Sequence, residues 1–210
     1  IVNYIALLGW SPGGEQEVFT LPELIEAFDL KGISKSPAIF DQKKLDWLNG
    51  EYIRKLTPEE FYKLAEPYLK SAIKNPAIDL TKVSALLQQR CEKLSDIPEQ
   101  VDFFDALPEY SAEMYCHKKM KTNEENSLAS LKAIVPVLEA VTDWTMDNIH
   151  SALFDLIAKM EVKNGIILWP LRCAVSGKAF TPGGGVELAE ILGKEETLAR
   201  IHKGIQLLEK

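Results

Sequence analysis

The sequence predicts an all-α protein. Apolar residues recur at three- and four-residue spacing, strand-like alternation is scarce, and the apolar stretches begin and end on helix-capping residues. The opening series Ile1, Val2, Ile5, Leu7 and Leu8 has no capping residue ahead of it, which reads as a cut inside a longer polypeptide. Asp41 can cap a helix over 41 to 55. Thr57-Pro58-Glu59-Glu60 combines a capping threonine, a proline at the first helical position and a glutamate three residues after the cap, and so starts a helix over 58 to 71. Leu80, Val83, Leu86, Leu87, Cys91 and Leu94 lay one apolar stripe along a helix of roughly four turns. Further stripes run through 124 to 140 and, behind the cap Thr145, through 146 to 160. Gly193 closes one helix before Leu198, Ile201, Ile205 and Leu208 define the last. Pro- and Gly-bearing turns at 11 to 14, 36 to 37, 75 to 76, 97 to 98, 107 to 108 and 181 to 185 separate these elements, and no repeat of fixed period runs through them.

A chain of 210 residues that is 46% hydrophobic can build one large domain or two to three small ones. No apolar run approaches the roughly 20 residues that cross a bilayer, and the start lacks the features of a signal peptide. Cys91, Cys116 and Cys173 are odd in number and far apart, which fits reduced thiols in a cytoplasm better than a disulfide framework. The net charge is −7, from 31 acidic and 24 basic residues. Such a chain is a poor nonspecific binder of nucleic acid, so any RNA must meet a local basic surface. Candidates are Lys31, Lys35, Lys43 and Lys44, then Arg54 and Lys55, then Cys-His-Lys-Lys-Met-Lys at 116 to 121. Each run also reads as a solvated helix face.

No set of residues composes a convincing catalytic site. His117, His150 and His202 lack partners at metal-ligand spacing, so no metal site is expected. Ser176-Gly177-Lys178 and Gly183 to Gly185 lack the spacing and following Lys-Ser/Thr of a phosphate loop and read as turns. Paired glutamates at 59–60, 124–125 and 195–196 sit at helix starts, where the dipole accounts for them. Gly32-Ile33-Ser34-Lys35-Ser36 looks like the Lys-Met-Ser-Lys-Ser loop that class I aminoacyl-tRNA synthetases use on ATP phosphates. Its first lysine is absent, however, and no histidine-containing nucleotide motif precedes it.

A longer match covers the same region. "NYIALLGWSP" and "FTLPELIEAFDLKGISKSPAIFDQKKLDWLNGEYIR" resemble the segment that follows the catalytic domain of bacterial glutamyl-tRNA synthetase, through Asn3, Tyr4, Gly9, Trp10, Ser34, Lys35, Pro37, Asp41, Lys44, Trp47, Asn49, Gly50 and Arg54 among others. "WPLRCAVSGKAFTPGGGVELAEILGKEETLARI" resembles the final module of that family, and residues 57 to 160 between them match mainly in helix pattern. The resemblance implies an all-helical C-terminal half: a stem-contact fold over 1–56, then an anticodon-binding region in two subdomains, 57–101 and 102–210. It places the nucleotide-binding catalytic domain upstream of Ile1. By the same resemblance the parent attaches glutamate to glutamate transfer RNA with ATP and Mg²⁺, in the cytoplasm and as a monomer. This chain alone would hold no cofactor and make no glutamyl-adenylate.

The stretch "NGIILWPLRCAVSGKAFTPGG" at 164 to 184 turns at Trp169-Pro170 from an apolar run into Arg-Cys and then a turn, instead of finishing a helix. Unpaired bases are read by stacking and by hydrogen bonds to their edges, work for which a planar guanidinium is suited. The resemblance puts Arg172 at the anticodon loop, flanked by Trp169, Leu171 and Thr181, with Arg90 as a second anticodon contact. It puts Ser34, Lys35, Lys44 and Arg54 against the RNA stem. Structural alternatives are a salt bridge beneath the C-terminal helices for Arg172, a solvated helix position for Arg90, and a core position for Trp169. Asp41 reads as a cap, Trp47 as core and Asn49-Gly50 as a kink. The competing function is a helical protein-interaction module with ordinary basic surface.

Overall fold

The computed structural model describes residues 1–210. It contains eleven α-helices, several single 3₁₀ turns and no sheet: α1 (Val2–Gly9), α2 (Leu21–Ala27), α3 (Gln42–Arg54), α4 (Pro58–Ala72), α5 (Leu80–Leu87), α6 (Ile97–Val101), α7 (Glu124–Glu139), α8 (Met146–Met160), α9 (Asn164–Ser176), α10 (Gly185–Leu192) and α11 (Lys194–Leu208). The only β-type pairings are two isolated bridges, Trp10 with Ile33 and His117 with Thr122. No helix is long and apolar enough to cross a membrane.

Local chemistry sets most of the boundaries. At Thr57 the hydroxyl accepts from the Glu60 amide while the Glu60 carboxylate accepts from the Thr57 amide, so two orphan donors are satisfied together. Thr20 with Glu23 and Asn123 with Asn126 form the same reciprocal caps, and Asp41 and Thr145 cap α3 and α8. Gly193, at φ +80°, separates α10 from α11.

Two apolar cores result. The small one joins Trp10, Phe19 and Leu24. Trp10 donates its indole N–H to the Asp29 carbonyl (3.0 Å), and the Cβ of any residue other than glycine at 32 would run into the Trp10 ring. Asn3 ties α1 to its surroundings by accepting from the Phe19 amide (2.8 Å) and the Tyr52 hydroxyl (2.7 Å). The large core gathers 31 buried residues from Ile53 to Ile201 and runs across residue 102 through Phe103 and Phe104. On one side of it α4 packs against α5 and α6; on the other, α7, α9 and α11 pack mutually, with α8 and α10 alongside.

Three expectations need correcting. The 80-to-94 stripe is not one helix: α5 ends at Leu87, a 3₁₀ turn covers 88–90, and another begins at Leu94. Gln88 is the cause, because its side-chain amide donates to the carbonyls of Ile53 and Leu56 and pins the chain to the end of α3. Trp47 is 37% exposed and not core, since α3 buries Leu48, Gly50 and Ile53 instead. Asn49-Gly50 makes no kink. The helix runs through it, Asn49 donates to the Glu92 carbonyl (2.7 Å), and Gly50 leaves room for the Glu92 side chain.

Gly204 makes a similar close approach inside the large core. A Cβ there would fall well inside van der Waals contact of the Tyr115 hydroxyl, which is hydrogen-bonded to Tyr110 (2.9 Å) on a fully buried ring. Gly204→Ala therefore lowers the melting temperature. Overpacking of about 1–3 kcal/mol exceeds the helix-propensity gain of up to about 1 kcal/mol. Thermal circular dichroism checks this, and an unchanged or raised melting temperature contradicts it.

Candidate nucleic-acid interface

The candidate interface is built around α9. This helix does not stop at Trp169-Pro170, contrary to expectation, but continues to Ser176. Pro170 lacks only one donor, whereas Ile167, Leu171 and Cys173 on either side of it are buried completely, and that burial holds the segment helical. Ser176 donates to the Arg172 carbonyl (2.6 Å), and Gly177, in the left-handed region at φ +61°, ends the helix. Lys178 then donates to the Glu99 carbonyl (2.8 Å) and pairs with Asp102 (2.6 Å), so its charge is engaged in holding the turn.

Arg172 leaves α9 one turn after Trp169. Its Cζ lies 4.3 Å from the Trp169 ring centroid, and Nη2 donates to the Ala179 carbonyl (2.7 Å). Its Nε is buried without a partner. No carboxylate lies within ion-pair distance, so the salt bridge beneath the C-terminal helices does not exist. Burial lowers the basicity of this guanidinium, and the nearby charge of Arg90 lowers it further. Cys173 offers no counter-ion, because burial pushes its thiol up to about 12 and keeps it neutral.

Trp169 belongs to both core and surface. Its indole N–H donates to the Met114 carbonyl (3.2 Å), one face carries Arg172, and the His117 ring sits 4.0 Å from it. Trp169 and Arg172 line a cavity of 570 Å³ together with Met120, Met146, His150 and Phe154. His150 and Phe154 stack at 4.0 Å with 17° between their planes, which gives the cavity a second aromatic surface from α8. Asp147, Gly184, Gly185 and Glu187 also line it. Such a space combines flat apolar surfaces with one cationic planar donor, suited to an unstacked base.

The remaining expected residues fall on both sides of this outcome. Arg90 is exposed at the end of the 3₁₀ turn after α5, free of any ion pair and close enough for its charge to act on Arg172. Leu171 is 0% exposed and cannot touch RNA; it packs beneath Gly185, where an added Cβ would come within 3.0 Å of it. The expected direct contact is thus corrected: Leu171 is a core residue. Thr181 is half-buried and donates its hydroxyl to the Gly183 carbonyl (2.7 Å), which braces the loop into α10. In the N-terminal part, Ser34 and Lys35 are exposed, with the Ser34 hydroxyl accepting from the Ser36 amide (3.2 Å). Lys44 pairs with Glu17 (2.7 Å) and Arg54 with Glu51. None of these four lines the cavity. Sequence reasoning missed Met120, His150 and Phe154; the only local signal was the four-residue spacing of the last two on one helix face.

Comparison with known proteins gives the family. The family described as "Anticodon binding domain" matches residues 60–205, and "tRNA synthetases class I (E and Q), catalytic domain" matches residues 1–47. A glutamate–tRNA ligase of Clostridium tetani is 61% identical over 209 residues, covering 100% of this chain and 43% of that protein; one of Clostridium kluyveri is 56% identical over the same span. The chain thus spans less than half the length of these relatives. Among solved structures, the glutamate tRNA ligase of Elizabethkingia meningosepticum, in complex with its amino acid, superposes with a TM-score of 0.79 at 26% identity, over 99% of this chain and 40% of that one. With the matched family spanning most of its length, and a cationic, aromatic cavity lying inside the matched region, the chain belongs to the anticodon-binding domain family in the form found in glutamate–tRNA ligases.

Proposed function

We propose that this chain is the transfer-RNA-binding part of a glutamate–tRNA ligase and that α9 presents Arg172 to the anticodon of glutamate transfer RNA. One observation carries the reading: a half-buried guanidinium with no carboxylate partner, held on an indole at the wall of a cavity large enough for a base. Arg90 is the second anticodon contact, Trp169 holds the Arg172 guanidinium at the cavity wall, and Thr181 shapes the loop beside them. Ser34 and Lys35 meet the RNA stem from an exposed surface, Lys35 with its charge unpaired and Ser34 with a hydroxyl that accepts from the Ser36 amide and keeps its proton to donate. Lys44 does so by exchanging the exposed Glu17 carboxylate for a phosphate, at low cost because exposed pairs contribute little; Arg54 does so from its half-buried pair with Glu51. On this reading residues 1–56 form the stem-contact fold, 57–101 and 102–210 the two anticodon-binding subdomains. The chain acts as a monomer, and the whole ligase uses ATP and Mg²⁺ at a site outside these residues.

The test is fluorescence anisotropy of the chain with a glutamate transfer RNA transcript and with the same transcript carrying a substituted anticodon, across a potassium chloride series. Affinity for the first should fall steadily as salt rises. The substituted transcript should bind more weakly by about 1–3 kcal/mol for each base that is read. Equal binding of the two transcripts would sink the anticodon reading, and binding indifferent to salt would favour a protein-interaction module.

A further inference from the structure

The basic run at 116 to 121 has a place that its sequence did not disclose. Residues 117–122 close into a tight turn, with His117 and Thr122 exchanging backbone hydrogen bonds at 3.1 and 3.3 Å. The Asn126 side-chain amide donates to the Lys121 carbonyl (3.0 Å), and Lys121 is held in the left-handed region at φ +59°, which few lysines adopt. Two contacts anchor this turn to the cavity. The His117 ring packs against Trp169, the residue that carries Arg172, with centroids 4.0 Å apart and planes tilted by 46°, and Met120 reaches in as part of the cavity wall, where Gly165 leaves it room.

Lys118, Lys119 and Lys121 are all exposed. None is in an ion pair, whereas Lys44, Lys82, Lys178 and Arg54 each hold a carboxylate. The nearest acids in sequence, Glu124 and Glu125, lie at the N-terminus of α7, where they offset its dipole. In a chain of net charge −7, three uncompensated lysines on a braced turn at the wall of a base-sized cavity are a local attractor for anions. A nucleotide carries its phosphate across the ribose from its base, so a strand that places a base in the cavity brings phosphodiester groups to the surrounding surface. Lysines, as flexible point charges, suit that contact, which needs no base-specific geometry.

We propose that the 117–122 turn is a backbone clamp: Lys118, Lys119 and Lys121 hold the phosphodiester chain of the RNA strand whose base enters the Trp169–Arg172 cavity. The inference rests on the anticodon reading but makes a separate demand on the data. The triple variant Lys118→Ala, Lys119→Ala, Lys121→Ala is compared with the unaltered chain, using the cognate and anticodon-substituted transcripts over a salt series. Expected are an equal fold-loss of affinity for both transcripts and a log–log salt slope flatter by about 2. The corresponding triple arginine variant should restore both. Equal melting temperatures and circular dichroism spectra establish that the variants are folded. If the unaltered chain prefers the cognate anticodon but the triple alanine variant binds with unchanged affinity and slope, the clamp is wrong and the Arg172 reading survives. A loss confined to the cognate transcript also overturns the clamp, since phosphates carry no sequence. If neither protein distinguishes the transcripts, the anticodon reading fails, and the slope alone decides whether these lysines hold a phosphate backbone.

Discussion

Arg172→Ala will bind glutamate transfer RNA no better than the unaltered chain binds an anticodon-substituted transcript, a loss of about 1–3 kcal/mol for a guanidinium that reads a base. Arg172→Lys should lose the same preference while keeping its salt slope, because an ammonium preserves the charge but not the planar fork. Arg172→Ala should be no less stable than the unaltered chain in thermal denaturation. The guanidinium is partly desolvated, has no carboxylate and leaves Nε without a partner, and its basicity is lowered by burial and by Arg90. A lowered pKa in a base means that the folded state disfavours the charged form. Arginine nonetheless stays protonated near neutral pH, so the native chain carries that cost throughout the usual range. Removing the side chain relieves it, and the melting temperature should hold or rise. A structural arginine would behave in the opposite way, with a fall in melting temperature and no change in anticodon preference.

How far the sequence reveals this depends on whether the cause is local. Thr57-Pro58-Glu59-Glu60 is a self-contained device, and α4 begins where it says. The stripe from Leu80 to Leu94 contains no such stop signal, and its break comes from Gln88 bonding to carbonyls more than 30 residues away. Pro170 has the form of a helix breaker, yet the burial of Ile167 and Leu171 overrides it, which only the assembled bundle can show. At the site, Arg172 and Arg90 are visible through family resemblance. Periodicity distinguishes Arg172 from its fully buried neighbour Leu171 only once the axis of α9 is fixed within the core. The cavity joins α8, α9, the 117–122 turn and the start of α10, so its lining is a property of packing and of no single segment.

Arg200→Ala will cause the largest loss of stability, about 3–5 kcal/mol by analogy with breaking a buried charged hydrogen-bond set. Arg200 is 1% exposed, beside the apolar stripe of Leu198 and Ile201, where periodicity alone would leave it in solvent. It is retained inside by two main-chain carbonyls. Nη1 donates to Val175 at 2.7 Å and to Phe103 at 2.7 Å. Val175 lies in the last turn of α9 and Phe103 in a 3₁₀ turn, so Arg200 donates to a helix-end carbonyl that lacks an intrahelical donor. Nε donates to Glu196 at 2.6 Å; Glu196→Gln keeps an acceptor there but removes the counter-ion of a buried charge, so it should cost stability, though less than Arg200→Ala because that carboxylate is 47% exposed. Urea denaturation of the two variants separates these contributions. If Glu196→Gln is as damaging as Arg200→Ala, the ion pair and not the pair of carbonyls is what matters. Because Val175 follows Arg172 by less than one turn of α9, Arg200→Ala should also weaken RNA binding. It should do so equally for cognate and substituted anticodons, since it loosens the support of the Arg172 side chain and leaves that side chain itself in place.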